Sequence, residues 1–182
     1  MNNDKKIFNE RSMQNNGRYE YIYNQLIRIG VELPCKVIDC ACGNGFGSLF
    51  FQNNGFDVVG IDNDVSTIES LKSKLNDVRI ANISDLPFND DEFDVFISSE
   101  TLEHLDKTEI KKAVKEIKRV TIKNGLICIT VPENKKICME NPFHKQYLSY
   151  FRLRMLFNFS VLFKGVFCKT EGERRQLVEV RF

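Results

Sequence analysis

Residues 36–48 read Lys36-Val37-Ile38-Asp39-Cys40-Ala41-Cys42-Gly43-Asn44-Gly45-Phe46-Gly47-Ser48. The run Lys36–Cys40 has the short apolar pattern of a strand, and the SLFFQNN segment from Ser48 has that of a helix. Between them stand glycines at 43, 45 and 47. Glycine lets a backbone approach a ligand where a Cβ would collide. In open parallel sheets, ligands lie at the carboxyl ends of the strands, where the strand order reverses. A tight strand–helix turn with no ligand is the alternative reading of this loop taken alone.

Outward from that loop, strand-like and helix-like segments alternate. DVVGI (Asp57–Ile61) reads as a second strand, followed by the helical VSTIESLKSKL. Asp77–Ala81 reads as a third and Phe93–Ser98 as a fourth. Asp106 and Glu109 form a capping-box pattern that opens the helix KTEIKKAVKEIKRV, which Asn124-Gly125 is expected to end. LICITV is the fifth strand, stopped by Pro132. A last helix is expected around Tyr147–Phe157, then the β-like SVLFKGVFC and RQLVEVRF. Ahead of the loop, Tyr19, Ile22, Tyr23, Leu26 and Ile27 recur at helical spacing, and Gly30 closes that helix. This alternation predicts an α/β fold, a doubly wound and mostly parallel sheet with one antiparallel strand near the C-terminus. One domain is expected over 1–182, with a helical cover at 1–30 and a cofactor-binding core at 36–132.

Composition sets outer bounds. The chain has 182 residues, 42% hydrophobic and 28% charged, which suits a single core. No apolar run is long enough to span a bilayer, and the polar first residues carry no leader pattern, so a cytoplasmic protein is expected. Net charge is +1, but the residues before Glu100 sum to −6 and those from Glu100 onward to +7. The basic half could suit an anionic substrate, but solvated helix faces such as KKAVKEIKRV are the simpler explanation. The six cysteines (35, 40, 42, 128, 138 and 168) show no zinc spacing, so reduced buried thiols are expected.

The second strand ends in Gly60-Ile61-Asp62, and an acid there can accept from both hydroxyls of a ribose. A nicotinamide-binding loop would want Gly or Ala at Ser48, and it gives Leu86-Pro87-Phe88 no role.

Taken in succession, DCACGNGFGS, VVGIDND and ANISDLPFNDDEFDVFISSETLEHL resemble the motifs of class I S-adenosylmethionine-dependent methyltransferases, from about Lys36 to Pro132. The resemblance implies a Rossmann-like methyltransferase fold with a seven-stranded sheet, and S-adenosyl-L-methionine as cofactor. It implies that Gly43 and Gly45 approach the cofactor's amino acid end, with Asp39 just before them. Asp62 would hold the ribose, Asn63 would lie near the adenine, and Asn82 and Ile83 would bracket the adenine edge. Ser99 would face the methyl group. Ala41 stands where a glycine is common, which matters little if its φ is negative. Asn82 replaces a common aspartate.

The two histidines are His104, in Glu100-Thr101-Leu102-Glu103-His104, and His144, in Asn141-Pro142-Phe143-His144-Lys145. On one helical turn Glu100, Glu103 and His104 would share a face. With His144 they make a candidate site for a divalent metal, magnesium or manganese. The ExxEH pair with a later histidine is similar to that of small-RNA 2′-O-methyltransferases and ubiquinone-pathway O-methyltransferases, which implies that the metal would activate a hydroxyl. Without a metal, His104 or His144 is the candidate base and Ser99 a further catalytic candidate. ERSMQNNGRYEYIY and NPFHKQYLSYF are similar to flanks of sugar methyltransferases, which makes Tyr19, Phe143 and Tyr147 candidate acceptor covers.

The expected reaction is O-methylation of a small hydroxylated acceptor, a sugar or a phenolic. The alternatives are 2′-O-methylation of RNA and a non-catalytic cofactor-binding subunit.

Overall fold

The computed structural model describes the backbone of residues 17–157, 161–170 and 173–181, and the side chains of 17–157. Five parallel strands follow the expected alternation: β1 (Lys36–Cys40), β2 (Asp57–Asp62), β3 (Asp77–Ile80), β4 (Phe93–Ser99) and β5 (Thr121–Pro132). Beyond β5 lie β6 (Val161–Thr170) and β7 (Glu173–Arg181), and β7 runs antiparallel to both β5 and β6. The order across the sheet is β3-β2-β1-β4-β5-β7-β6. The chain winds outward from β1 in both directions, so the crevice between the ends of β1 and β4 is the switch point.

Side chains on a strand alternate between faces, and two apolar layers result. Val37, Val95, Ile97, Leu126 and Cys128 point to the layer that holds Tyr19, Ile22 and Leu26 of helix α1 (residues 17–28) and Phe51 of α2 (Phe46–Asn53). Ile38, Phe96, Ile127 and Ile129 point to the other layer, under Ile110, Ala113 and Ile117 of α4 (Lys107–Val120). The remaining helices are α3 (Val65–Leu71), α5 (Lys135–Glu140) and α6 (Tyr150–Leu156).

The capping box forms as expected: Asp106 accepts from the N–H groups of Thr108 and Glu109, and Glu109 accepts from that of Asp106. Helix α4 covers the expected KTEIKKAVKEIKRV, but Asn124-Gly125 is not what stops it. The helix stops at Val120, because Thr121 turns extended and its hydroxyl donates to the Ile117 carbonyl at 2.6 Å. Asn124 and Gly125 lie inside β5 instead, with Asn124 at φ 66°. Helix α3 is also shorter than its pattern suggested, ending at Leu71. Among the described residues, no helix is long and apolar enough to cross a membrane. Cys35, Cys40, Cys42, Cys128 and Cys138 are buried thiols; the side chain of Cys168 lies outside the described set.

Candidate active site

The loop after β1 is pinned from both sides. The Cys42 N–H donates to the Ile61 carbonyl at 2.8 Å, and the Gly43 N–H donates to Asp62 Oδ2 at 3.0 Å. Asp62 Oδ1 accepts from the Asp64 N–H, so this carboxylate ties the ends of β1 and β2 together. Below the loop, Asp39 is 1% exposed and accepts from Ser48 Oγ at 2.7 Å. Its Oδ1 is buried with no hydrogen-bond partner. Burial pushes the Asp39 carboxyl up to about 6, against the lowering effect of the Ser48 hydrogen bonds.

Ala41 departs from expectation. Its φ is +61°, in the left-handed region, so the alanine carries strain that a glycine would not. Gly43 and Gly45 are also left-handed, at φ 50° and 73°. Gly45 forms the N-cap of α2 and presses against Leu71, where an added Cβ would meet Cδ2 at 2.6 Å.

A cleft of about 370 Å³ opens along the carboxyl edge of the sheet. One wall carries Asp62, Asn63, Asn82 and Ile83; the other carries Ser99, Glu100, Thr101 and His104, with Ala41 between them. Six of the nine residues expected around the cofactor therefore share one cavity. Gly43 lines a smaller adjoining pocket, while Asp39 beneath the loop and Gly45 at the N-cap of α2 line neither. Asn82 accepts the Ser84 N–H at 2.8 Å and closes a local turn.

Ser99 is tied up in structure. Its hydroxyl accepts from Arg18 Nη1 at 2.6 Å and shares a hydrogen bond with Thr130 Oγ1 at 2.9 Å. That geometry makes it a holder of Arg18 rather than a base. Arg18 escaped the sequence reading because its partner stands 81 residues away.

At the far end of the cleft, the expected helical turn is absent. Leu102–His104 is a short 3-10 helix, and Glu100 precedes it at φ 55°. The left-handed kink breaks the i, i+3, i+4 spacing, so Glu100 does not join the others as a metal ligand. Its Oε1 accepts instead from Thr130 Oγ1 at 3.0 Å. Glu103, His104 and His144 do converge, with one ligand atom from each all within 4.8 Å of one another. Glu103 is fully buried, and the two imidazole rings meet edge to face at 4.6 Å.

Both rings are oriented by backbone carbonyls. His104 Nδ1 lies 3.1 Å from Phe143 O, and His144 Nδ1 lies 2.7 Å from Cys138 O. A carbonyl only accepts, so each Nδ1 carries the proton and each Nε2 is the basic nitrogen. Burial, then the charge of His144, holds His104 below the usual histidine pKa. It is therefore neutral near neutral pH. Of the aromatic candidates, Phe143 is 76% exposed, Tyr147 donates to the Glu133 carbonyl, and Tyr19 is buried in the core.

The methyltransferase domain model matches residues 38–129, from the middle of β1 to the middle of β5. The chain belongs to the methyltransferase domain family. A Mycolicibacterium smegmatis protein described as a probable S-adenosylmethionine-dependent methyltransferase is 27% identical over 143 residues, 72% of this chain and 52% of that protein. Tocopherol O-methyltransferase of Arabidopsis thaliana is 35% identical over 105 residues, 52% of this chain and 29% of that one. The chain thus spans about half the length, or less, of the curated relatives it matches. Among solved structures, magnesium protoporphyrin IX methyltransferase from Synechocystis, with bound S-adenosylhomocysteine, superposes with a TM-score of 0.76 at 15% identity. That match covers 93% of this chain and 84% of that one, and it is a likeness of fold. The matched residues of this methyltransferase domain include Ala41, Asp62, Asn63, Asn82, Ile83, Ser99 and His104, which line the cleft.

Proposed function

We propose that this methyltransferase domain transfers the methyl group of S-adenosylmethionine to a hydroxyl of a small acceptor, a sugar or a phenolic. The observation that carries the reading is the single cleft that runs from the Asp62 carboxylate to the neutral imidazole of His104. The donor groups suit the cofactor. Asp62 offers a carboxylate suited to a vicinal diol, and Ile83 and Ala81 offer an apolar face beside the polar edges of Asn63 and Asn82. Asp39 places a buried carboxylate beneath the loop, which when ionised favours a cationic sulfonium above it.

The cofactor, when bound, supplies the electrophilic methyl group. The protein's part is to align the acceptor and to take its proton. His104 Nε2 is the group for the proton, since its Nδ1 is held by Phe143 O. The fully buried Glu103 lies 4.0 Å from His144 Nε2 and steadies positive charge that develops on the imidazole pair. Exposed Phe143 beside His104 gives the acceptor a flat apolar surface. Likeness to a tocopherol O-methyltransferase supports an oxygen acceptor.

A test is calorimetry with S-adenosylhomocysteine, followed by transfer of labelled methyl groups to a panel of sugars and phenols. Binding together with turnover on a hydroxyl is expected. Binding with no turnover on any acceptor would favour a non-catalytic subunit.

The convergence of Glu103, His104 and His144 favours a second reading. Two imidazoles and one carboxylate suit manganese, iron or cobalt better than magnesium, which prefers oxygen donors. A metal held there would lower the pKa of an acceptor hydroxyl, including a ribose 2′-hydroxyl at the end of an RNA. Gel shifts over a salt series test the RNA form; absence of binding at low salt removes it.

A further inference from the structure

Helix α5 ends at Glu140, where Pro142 turns the residue before it out of the helical region; Asn141 is extended, at φ −78° and ψ 118°. The Asn141 side chain then folds back over the turn. Its Oδ1 accepts from the Phe143 N–H at 3.0 Å, and its Nδ2 lies 3.0 Å from His144 Nε2. The first bond fixes the amide's orientation, because a backbone N–H meets the oxygen and not the nitrogen. The second then has one sense: an amide nitrogen donates, so His144 Nε2 accepts.

The other ring nitrogen agrees. His144 Nδ1 donates to the Cys138 carbonyl at 2.7 Å. One nitrogen of His144 thus faces a donor and the other an acceptor, which is the neutral imidazole with its proton on Nδ1. The His144 side chain is 10% exposed, and of the two rings it is His104 that lines the main cleft. The lone pair that a metal would use on His144 is the one the Asn141 amide covers. Glu103 Oε1 approaches that same nitrogen, at 4.0 Å, so a cation between the two must first displace the amide N–H.

We propose that Asn141 is a positioning residue whose amide locks His144 as the Nδ1–H tautomer, keeps divalent cations off the cluster of Glu103, His104 and His144, and leaves His104 as the ring that meets the acceptor. The last part rests on reading the cleft as a site of methyl transfer to a hydroxyl. The first two parts are read without cofactor or acceptor. A cluster with the composition of a metal site then works as an imidazole pair, and Asn141 is what decides between the two.

Two measurements on the intact protein test this. Nitrogen-15 NMR of the histidine side chains, at a pH above the ordinary histidine range, shows which ring nitrogen carries the proton, with His144→Ala identifying the signals. An unprotonated Nε2 on His144 is expected. A proton on that nitrogen overturns the proposal without any variant at position 141 having to fold. The second measurement titrates divalent cobalt, followed by its visible absorption, into the parent, Asn141→Ala and Asn141→Asp. Asn141→Ala lacks the covering N–H and should bind cobalt on the order of tenfold more tightly than the parent, the worth of one displaced hydrogen bond. Asn141→Asp keeps an acceptor for the Phe143 N–H and adds a carboxylate ligand, so its gain should be larger. Adding His144→Ala should erase both gains. Cobalt affinity in the variants no higher than in the parent, whether tight or absent, overturns the proposal, as does a gain that survives His144→Ala. So does methyl transfer by the parent that requires added metal. A parent that shows the expected tautomer and cobalt series but transfers no methyl group removes the transfer reading alone.

Discussion

The ring of Tyr19 occupies the space that a side chain on Gly47 would need. A Cβ built at Gly47 falls inside contact distance of Tyr19 Cε1 and Cζ. Helix α1 thus packs onto the start of α2 through a missing side chain, and this contact sets how closely α1 approaches the loop after β1. Alanine at position 47 would gain about 1 kcal/mol of helix propensity. It would lose more by overpacking against a buried aromatic ring, about 1–3 kcal/mol. Gly47→Ala is therefore expected to destabilise the protein in urea unfolding. In a Tyr19→Ala background the clash is gone, and the same change should stabilise. A Gly47→Ala effect with the same sign in both backgrounds would contradict the packing.

The buried carboxyl of Asp39 makes stability depend on pH in a defined direction. Its folded pKa is about 6, while an unfolded aspartate titrates near ~3.9. The folded state therefore holds this proton more tightly than the unfolded chain. The contribution of Asp39 to stability is greatest below about pH 4 and declines as pH rises toward about 6. Asn at this position cannot ionise and avoids the loss. Relative to the parent, Asp39→Asn should gain roughly 2–3 kcal/mol between about pH 4 and pH 7, read from urea midpoints. A difference that stays flat with pH would refute the assignment.

Much of this was legible in the sequence, for identifiable reasons. Val37, Ile38, Phe96 and Ile97 are apolar on both faces of central strands, so β1 and β4 read as short apolar runs. Asp106 and Glu109 meet through local geometry that a four-residue pattern encodes. The site was legible where one chain segment fixes it, as at Asp62. It was not where the backbone leaves regular geometry: Glu100, at positive φ, does not join the cluster of Glu103, His104 and His144, although the spacing of 100, 103 and 104 suits a helix. The left-handed Ala41 is hidden for the same reason. Arg18 was invisible because its meaning comes from Ser99 and Ala41, which only the folded sheet brings near.

Asp62 has two tasks, and both enter the cost of removing it. It holds the Gly43 N–H, and in the proposed function it accepts from the ribose. Asp62→Ala is expected to weaken S-adenosylhomocysteine binding by roughly 1.5–3 kcal/mol, the usual worth of hydrogen bonds to a charged group. Methylthioadenosine shares the ribose, so its binding should fall by the same factor. Undiminished affinity in calorimetry would remove Asp62 from the pocket.

His104 separates binding from transfer. It lines the cleft opposite Asp62, so His104→Ala should leave S-adenosylhomocysteine affinity unchanged while abolishing methyl transfer to a hydroxyl acceptor. His144 then tells the two roles of the cluster apart. If His104 is the base, His144→Ala keeps part of the activity, because the ring of His104 is still fixed by Phe143 O. If the pair holds a metal, both substitutions abolish transfer equally, a chelator does the same, and manganese restores the parent protein but neither variant. Metal analysis of the purified protein gives an independent readout. Turnover retained by His104→Ala, with or without added metal, would exclude His104 from either role.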